Sequence, residues 1–309
     1  MIILEINNRI IIETLTVKFN DAINGVRLTQ INSEFCDFDG VNFKISNHSD
    51  DRKLLKVSIY LKYYNELKNH GAEVVLKRTY GDYLMPQAEE GYNVSLLYDL
   101  EKIPKQFESI VLAASFLKRN CFAAVFEKYF EFQQTGDQTH DKAVIHYRDD
   151  ETLYVEAKPD RVTVIFATQF KDPADVAIGN IFLHQFQEGR KATKTAPQVL
   201  YSIGEPPGEM INLERPMKGD NVFYVAFVLE KRHIGKEVRD NTIDLLHLFR
   251  DNLHYHIKCS KAYVHSRMLS KYNDFRKILD RAHQKASANE NTTSGDGTAV
   301  KKGMVRKNF

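Results

Sequence analysis

Cysteine is scarce: Cys36, Cys121 and Cys259 are the only three in 309 residues. An odd, scattered set excludes a disulfide framework and points to a reducing compartment. Charge of one sign is lacking too. The formal net charge is +2, so no global field advertises nucleic acid or membrane, and any basic surface has to be local. No apolar run approaches the roughly 18 residues of a membrane span. The opening "MIILEINNRIIIETL" is apolar in patches, but Glu5, Asn7, Asn8 and Arg9 interrupt a signal-peptide core. These absences lead us to expect a cytoplasmic protein. Missing as well are a GxGxxG fingerprint, a Walker loop, a GxSxG elbow and an HExxH helix.

What is present reads as two passes through one plan. A short amphipathic segment precedes the period-2 stretches "QINSEFCDFDGVNFKIS" and "KVSIYLKYY", with hairpin chemistry at Asp39-Gly40 and "NHSDD". A helical pattern, "YYNELKNHGAEVVLKRTYG", closes at Gly81. The strand "YNVSLLYDL" and the helix "FESIVLAASFLKRNCFAAVFEKYFEFQ" follow. That helix is apolar on most of its circumference, which predicts packing on two sides. The polar run "QQTGDQTHD" is the best domain boundary. Beyond it come three strands, "KAVIHYR", "TLYVEAK" and "RVTVIFATQF". A helix opened by Asp172-Pro173 comes next, then the strands "PQVLYSI" and "NVFYVAFVLEK", and a helical stretch from about Lys236 to Lys285. The order predicts an α+β protein. It would hold two similar α/β domains, 1–135 and 136–285, each a mostly antiparallel sheet packed with helices, the second ending in a long C-terminal helix. Residues 286–309 are small and polar and predict a disordered tail.

The stretch "DNLHYHIKCSKAYVH" looks at first like a metal or catalytic cluster. Helical geometry argues otherwise. His254 and His256 point about 160° apart, and His247 and His254 share a face but stand roughly 10 Å apart along the axis. One ion with bonds near ~2 Å does not bridge that gap. The position four after His254 is Lys258, a cation that repels a metal. No metal, cofactor or catalytic group is expected here. The same arithmetic shows two apolar stripes. Leu246, Phe249, Leu253, Ile257, Val264 and Met268 form one; Leu245, Leu248, Tyr255, Cys259 and Tyr263 form the other. Between them runs a ridge of His247, Arg250, His254, Lys258, Lys261 and His265. Two apolar faces imply two packing partners: one stripe would cover the domain's own sheet, and the other is free for a second element of this chain or for a second protein. Residues 245–285 hold nine Lys/Arg against three Asp, a local net of +6 that fits an acidic polymeric partner.

Two alternatives stand beside this one. "DFDGV" resembles the DxDG loop of haloacid-dehalogenase-like phosphatases, with Asp37 as nucleophile and Asp39 as acid. That loop follows a buried parallel strand, whereas "INSEFC" alternates and reads as a half-exposed hairpin arm. The basic C-terminal helix also suits a phosphoinositide-binding module.

Several long blocks carry a resemblance. "RDNTIDLLHLFRDNLHYHIKCSKAYVHSRM", "AVIHYRDDETLYVEAKPDRVTVIF", "YNVSLLYDL", "LKRNCFAAVFEKYFEFQ", "TAPQVL" with "EPP" after it, and "LEINNRII" closely resemble the subunit 2 family of the actin-related protein 2/3 complex, from Met1 to about residue 285. The resemblance implies a non-enzymatic scaffold that pairs with subunit 4, holds the two actin-related subunits and the rest of the complex, and grips the side of an actin filament. It implies a cytoplasmic, cytoskeletal protein that needs no cofactor and no nucleic acid, since nucleotide binding belongs to the actin-related subunits. By the resemblance, Phe249 and Lys277 match the aromatic and the lysine that face the mother filament, with Arg250, Lys271 and Arg281 as basic helpers. Ile203-Gly204 stands where the family commonly has a His-Arg pair, and Arg276 where it has an aliphatic residue. These departures suggest a diverged or tissue-restricted version.

Overall fold

A computed structural model describes residues 5–37, 40–48, 51–137, 139–193, 195–210 and 216–293, with side chains as far as residue 283. The first compact unit is Met1–Lys258 and the second starts at Cys259. Asp39, half of the DxDG match, and residues 294–309 of the expected tail lie outside the described residues.

Helix α1 (Arg9–Ile23) opens where the sequence supplies a cap. The Asn8 side chain accepts from the amides of Ile10 and Ile11, satisfying donors that a helix start leaves orphaned. Strands β1 (Asn32–Cys36), β2 (Asn42–His48), β3 (Asp51–Tyr60) and β4 (Val94–Asp99) then form an antiparallel sheet in chain order. Between β3 and β4 the expected single helix is two, α2 (Tyr64–Asn69) and α3 (Ala72–Tyr80). They part at Gly71, whose φ of 94° is a left-handed conformation that favours glycine.

The long apolar helix is likewise two pieces, α4 (Glu108–Ser115) and α5 (Leu117–Thr135), bent by 67° at Phe116. Most of α5 is buried, as its all-round apolarity requires. No single helix among the described residues is long and apolar enough to cross a membrane.

The second sheet has the antiparallel order β5-β6-β7-β9-β8 and is built from β5 (Ala143–Arg148), β6 (Glu151–Ala157), β7 (Arg161–Gln169), β8 (Gln198–Gly204) and β9 (Gly219–Glu230). Helix α6 (Pro173–Ala192) joins β7 to β8; Asp172 caps it, accepting from the Ala174 amide at 2.8 Å, and Pro173 takes the first turn. At the end of β8 the register slips between Ile203 and Gly204, and Gly204 sits at φ 86°. The extra residues at this slip, Asp220 to Val222, lie on the β9 side. A short α7 (Lys231–Ile234) leads into α8 (Arg239–Thr293). The helix therefore runs past the boundary expected at residue 285.

The fold is α+β: two antiparallel sheets packed with helices and a long C-terminal helix. One apolar core is continuous across both sheets, α1, α5 and α8 as far as Ile257. A smaller cluster, with Tyr154, Ile165, Met210 and Tyr224, covers the opposite face of the second sheet.

Candidate partner-binding surface

The first turns of α8 belong to the core. Leu246, Phe249, Leu253 and Ile257 are all at most 5% exposed. Phe249 lies 4.8 Å from the Phe227 ring in an edge contact, 5.1 Å from Phe166 and 5.5 Å from Phe186. Gly179 of α6 gives Ile257 its seat, because a Cβ there would meet the Ile257 Cδ1 at 3.3 Å. Such ring-on-ring packing is worth about 0.5–1.5 kcal/mol per pair beyond area. Phe249 is consequently a core residue of this chain, and the expectation that it faces a filament is corrected: a side chain enclosed by three phenylalanines has no surface to offer.

Arg250 is corrected in the same way. Its side chain is 4% exposed and bonds Glu151 at the start of β6, with Asp251 at 3.3 Å. Asp251 in turn lies 3.9 Å from Lys118, which binds Asp37 at 2.6 Å. His254 Nε2 is 2.5 Å from Glu151 Oε1. Burial pushes the Asp251 carboxyl up, opposed by Lys118 and Arg250. Burial also pulls the Arg250 guanidinium down, against the pull of Asp251 and Asp37. Charges this deep hold their place only by pairing, so the cluster tethers α8 to β6, α5 and the β1–β2 turn. Asp37 is thereby spoken for. It follows an antiparallel strand at the edge of its sheet and pairs with a lysine, which does not match a phosphatase nucleophile loop.

His247, His254 and His256 separate as helical arithmetic demands. His247 packs on Phe122 at 5.3 Å, His254 on Phe170 at 5.8 Å, and His256 stacks on Phe182 at 5.1 Å. Burial, then Lys118 and Arg119, holds His247 well below the ordinary imidazole range. The expected polar ridge begins as buried structure.

From Cys259 the character reverses. Tyr263, Val264, Met268, Leu269, Tyr272, Phe275, Ile278 and Leu279 are 44–65% exposed. Val264, Met268, Tyr272, Phe275 and Leu279 fall within about 80° of one helical face at 100° per residue. Lys277 and Arg281 lie on the far side of that stripe and Lys271 on its flank, all exposed. Lys277 has one weak neighbour, Asp274 at 3.8 Å. Of the second sequence stripe, Leu245 is packed against the core, Leu248 and Tyr255 are half-buried, and Cys259 and Tyr263 are exposed. Sequence reading stopped at Met268. The i, i+4, i+7 signal that extends the first stripe to Phe275 and Leu279 was there to be followed.

A helix carrying an unpartnered apolar stripe and an opposite cationic face is built to bury one side in protein and leave charge on the other. Its chemistry suits recognition, not bond-making.

Comparison with known proteins agrees. The model of the family described as the Arp2/3 complex 34 kD subunit p34-Arc matches residues 57–286. The chain is similar to the "Actin-related protein 2/3 complex subunit 2" of Schizosaccharomyces pombe, 37% identical over 96% of this chain and 98% of that one. It is similar also to the protein of the same name in Dictyostelium discoideum, 36% identical over 91% and 93%. The chain belongs to the p34-Arc family of Arp2/3 complex subunits.

Proposed function

We propose that this chain is a non-enzymatic scaffold of an actin-nucleating complex that pairs with subunit 4 and rests against the side of an actin filament. The observation that carries the reading is the exposed apolar stripe Val264–Leu279 on α8, in a chain of this family. A monomer that left this stripe in water would present a contiguous apolar patch of the kind that marks interfaces. Subunit 4 is its occupant in this reading; Cys259 and Tyr263, each eighteen residues before Lys277 and Arg281, share the opposite face with them. Lys271, Lys277 and Arg281 then meet the acidic filament, with the two actin-related subunits and the remaining subunits held elsewhere on the scaffold. Arg276, where the family has an aliphatic residue, adds an exposed charge beside Lys277. The cytoplasm, at the actin cytoskeleton, is the setting this implies.

The test is a tagged pull-down of the full chain from cytoplasm, followed by co-sedimentation of what comes with it. Recovery of actin-related subunits that pellet with filaments supports the reading. A chain recovered alone, or one that prefers anionic vesicles to filaments, overturns it.

A further inference from the structure

At the start of α8, away from the apolar stripe, four cations from three elements converge. Arg78 of α3, Arg119 of α5, and Lys236 and Arg239 at the α7–α8 junction line an open cleft of about 420 Å³. Two of the four are already neutralised. Arg78 forks onto Glu127 at 2.8 and 2.9 Å, and Arg119 bonds Asp244 at 2.7 Å and Asp240 at 2.8 Å. Both bonds of Arg78 use Nη2, so its Nε and Nη1 remain to donate.

The other two are not neutralised. Lys236 is exposed and, among the described residues, has no carboxylate partner. Arg239 is half-buried, and its Nε is closed off from solvent without a hydrogen-bond acceptor. A ligand oxygen that accepts from it would relieve the roughly 1–3 kcal/mol that an unmade buried donor costs. The four cations stand against three carboxylates, Glu127, Asp240 and Asp244, so the cleft keeps a net positive charge, which Lys236 and Arg239 present on a frame that the ion pairs hold still. The first turn of α8 begins in the same cleft and adds its dipole.

We propose that this cleft is a phosphate-binding site, taking the phosphate monoester of a small soluble molecule. A monoester bears about −1.5 to −2 charges near neutrality, which balances the pair Lys236 and Arg239. Its tetrahedral oxygens accept from guanidinium forks in the bidentate manner that a single carboxylate fills only once. The open cleft of about 420 Å³ has room for a phosphate with a small alcohol attached.

The test uses the full-length chain in its purified complex, titrated calorimetrically with inorganic phosphate and with glycerol phosphate at constant ionic strength. One saturable site is expected for both probes. Arg239→Gln and Lys236→Gln should each weaken it by about tenfold, the loss of one charged hydrogen bond. Lys236 is exposed and, among the described residues, outside every ion pair, so its variant should fold whatever becomes of Arg239. Arg267→Gln, on the exposed part of α8, should change nothing. The proposal falls if no saturable binding is seen, if both cleft variants bind as the parent does, or if vesicles bearing phosphoinositide bind while neither soluble probe does.

Discussion

Asp37 and Lys118 are 81 residues apart in the chain and 2.6 Å apart in space. One sits beyond the β1 strand end and the other on the first turn of α5, and their side chains are 7% and 10% exposed. Removing Asp37 takes a carboxylate at 2.6 Å from a buried ammonium and leaves Asp251 at 3.9 Å to face it. Asp37→Ala should therefore cost about 3–5 kcal/mol in urea denaturation. Asp37→Asn combined with Lys118→Met should cost clearly less, because both charges go together. Equal losses in the two variants would show that packing, not pairing, governs this site.

Phe249→Ala should behave as a core truncation. A phenylalanine packed on three others loses about 3–5 kcal/mol when cut to alanine, read as a drop in the urea midpoint at unchanged slope. Stability at the parent level would mean the ring is not seated among Phe166, Phe186 and Phe227.

Acid should loosen the fold through His247. Its folded pKa lies below its unfolded one, so the unfolded chain takes up the extra proton. The stability it contributes is present above about pH 6.5, the ordinary imidazole value, and is lost as pH falls below it, by at most about 1.4 kcal/mol per pH unit for one proton. Burial holds His70 and His233 down as well, so they contribute in the same sense. Denaturation curves between about pH 7.5 and 5.5, one unit either side of the ordinary value, should show the slope, and His247→Gln should reduce it. An unchanged slope in that variant would reassign the effect to the other two histidines.

On the exposed part of α8 the two faces should separate by mutation. Met268→Asp with Phe275→Asp should abolish co-purification with the partner subunit and suppress self-association of the chain expressed alone. Its thermal midpoint should stay put, because neither side chain is buried. Retained co-purification would place the partner elsewhere.

Lys277→Glu should leave assembly intact and weaken filament co-sedimentation more than Lys277→Ala does. The alanine loss should be about two- to fivefold, the scale of an exposed charge contact, and should shrink as salt rises and screening tightens to ~8 Å. Parent-level pelleting of the reversal variant would remove this face from the filament contact.

Much of this was legible in the residues. Period-2 runs marked the strands, Asp172-Pro173 marked a helix start, and the 100° wheel ruled out an ion between His247, His254 and His256 because those rules are local. The same wheel laid out an apolar stripe from Leu246 to Met268 without distinguishing its ends. Leu246 is sealed and Met268 is 65% exposed, although the two read alike, since periodicity reports which side of a helix is apolar and not where the core stops. Nor does any local rule pair Asp37 with Lys118, Glu151 with Arg250, or Phe249 with Phe227. Those contacts close over long loops, and only the sheets that bring the strand ends together determine them. The sequence by itself therefore settled the class of fold and the family resemblance. Tertiary structure decided which part of α8 is core and which is surface, because burial is a property of what lies across from a side chain.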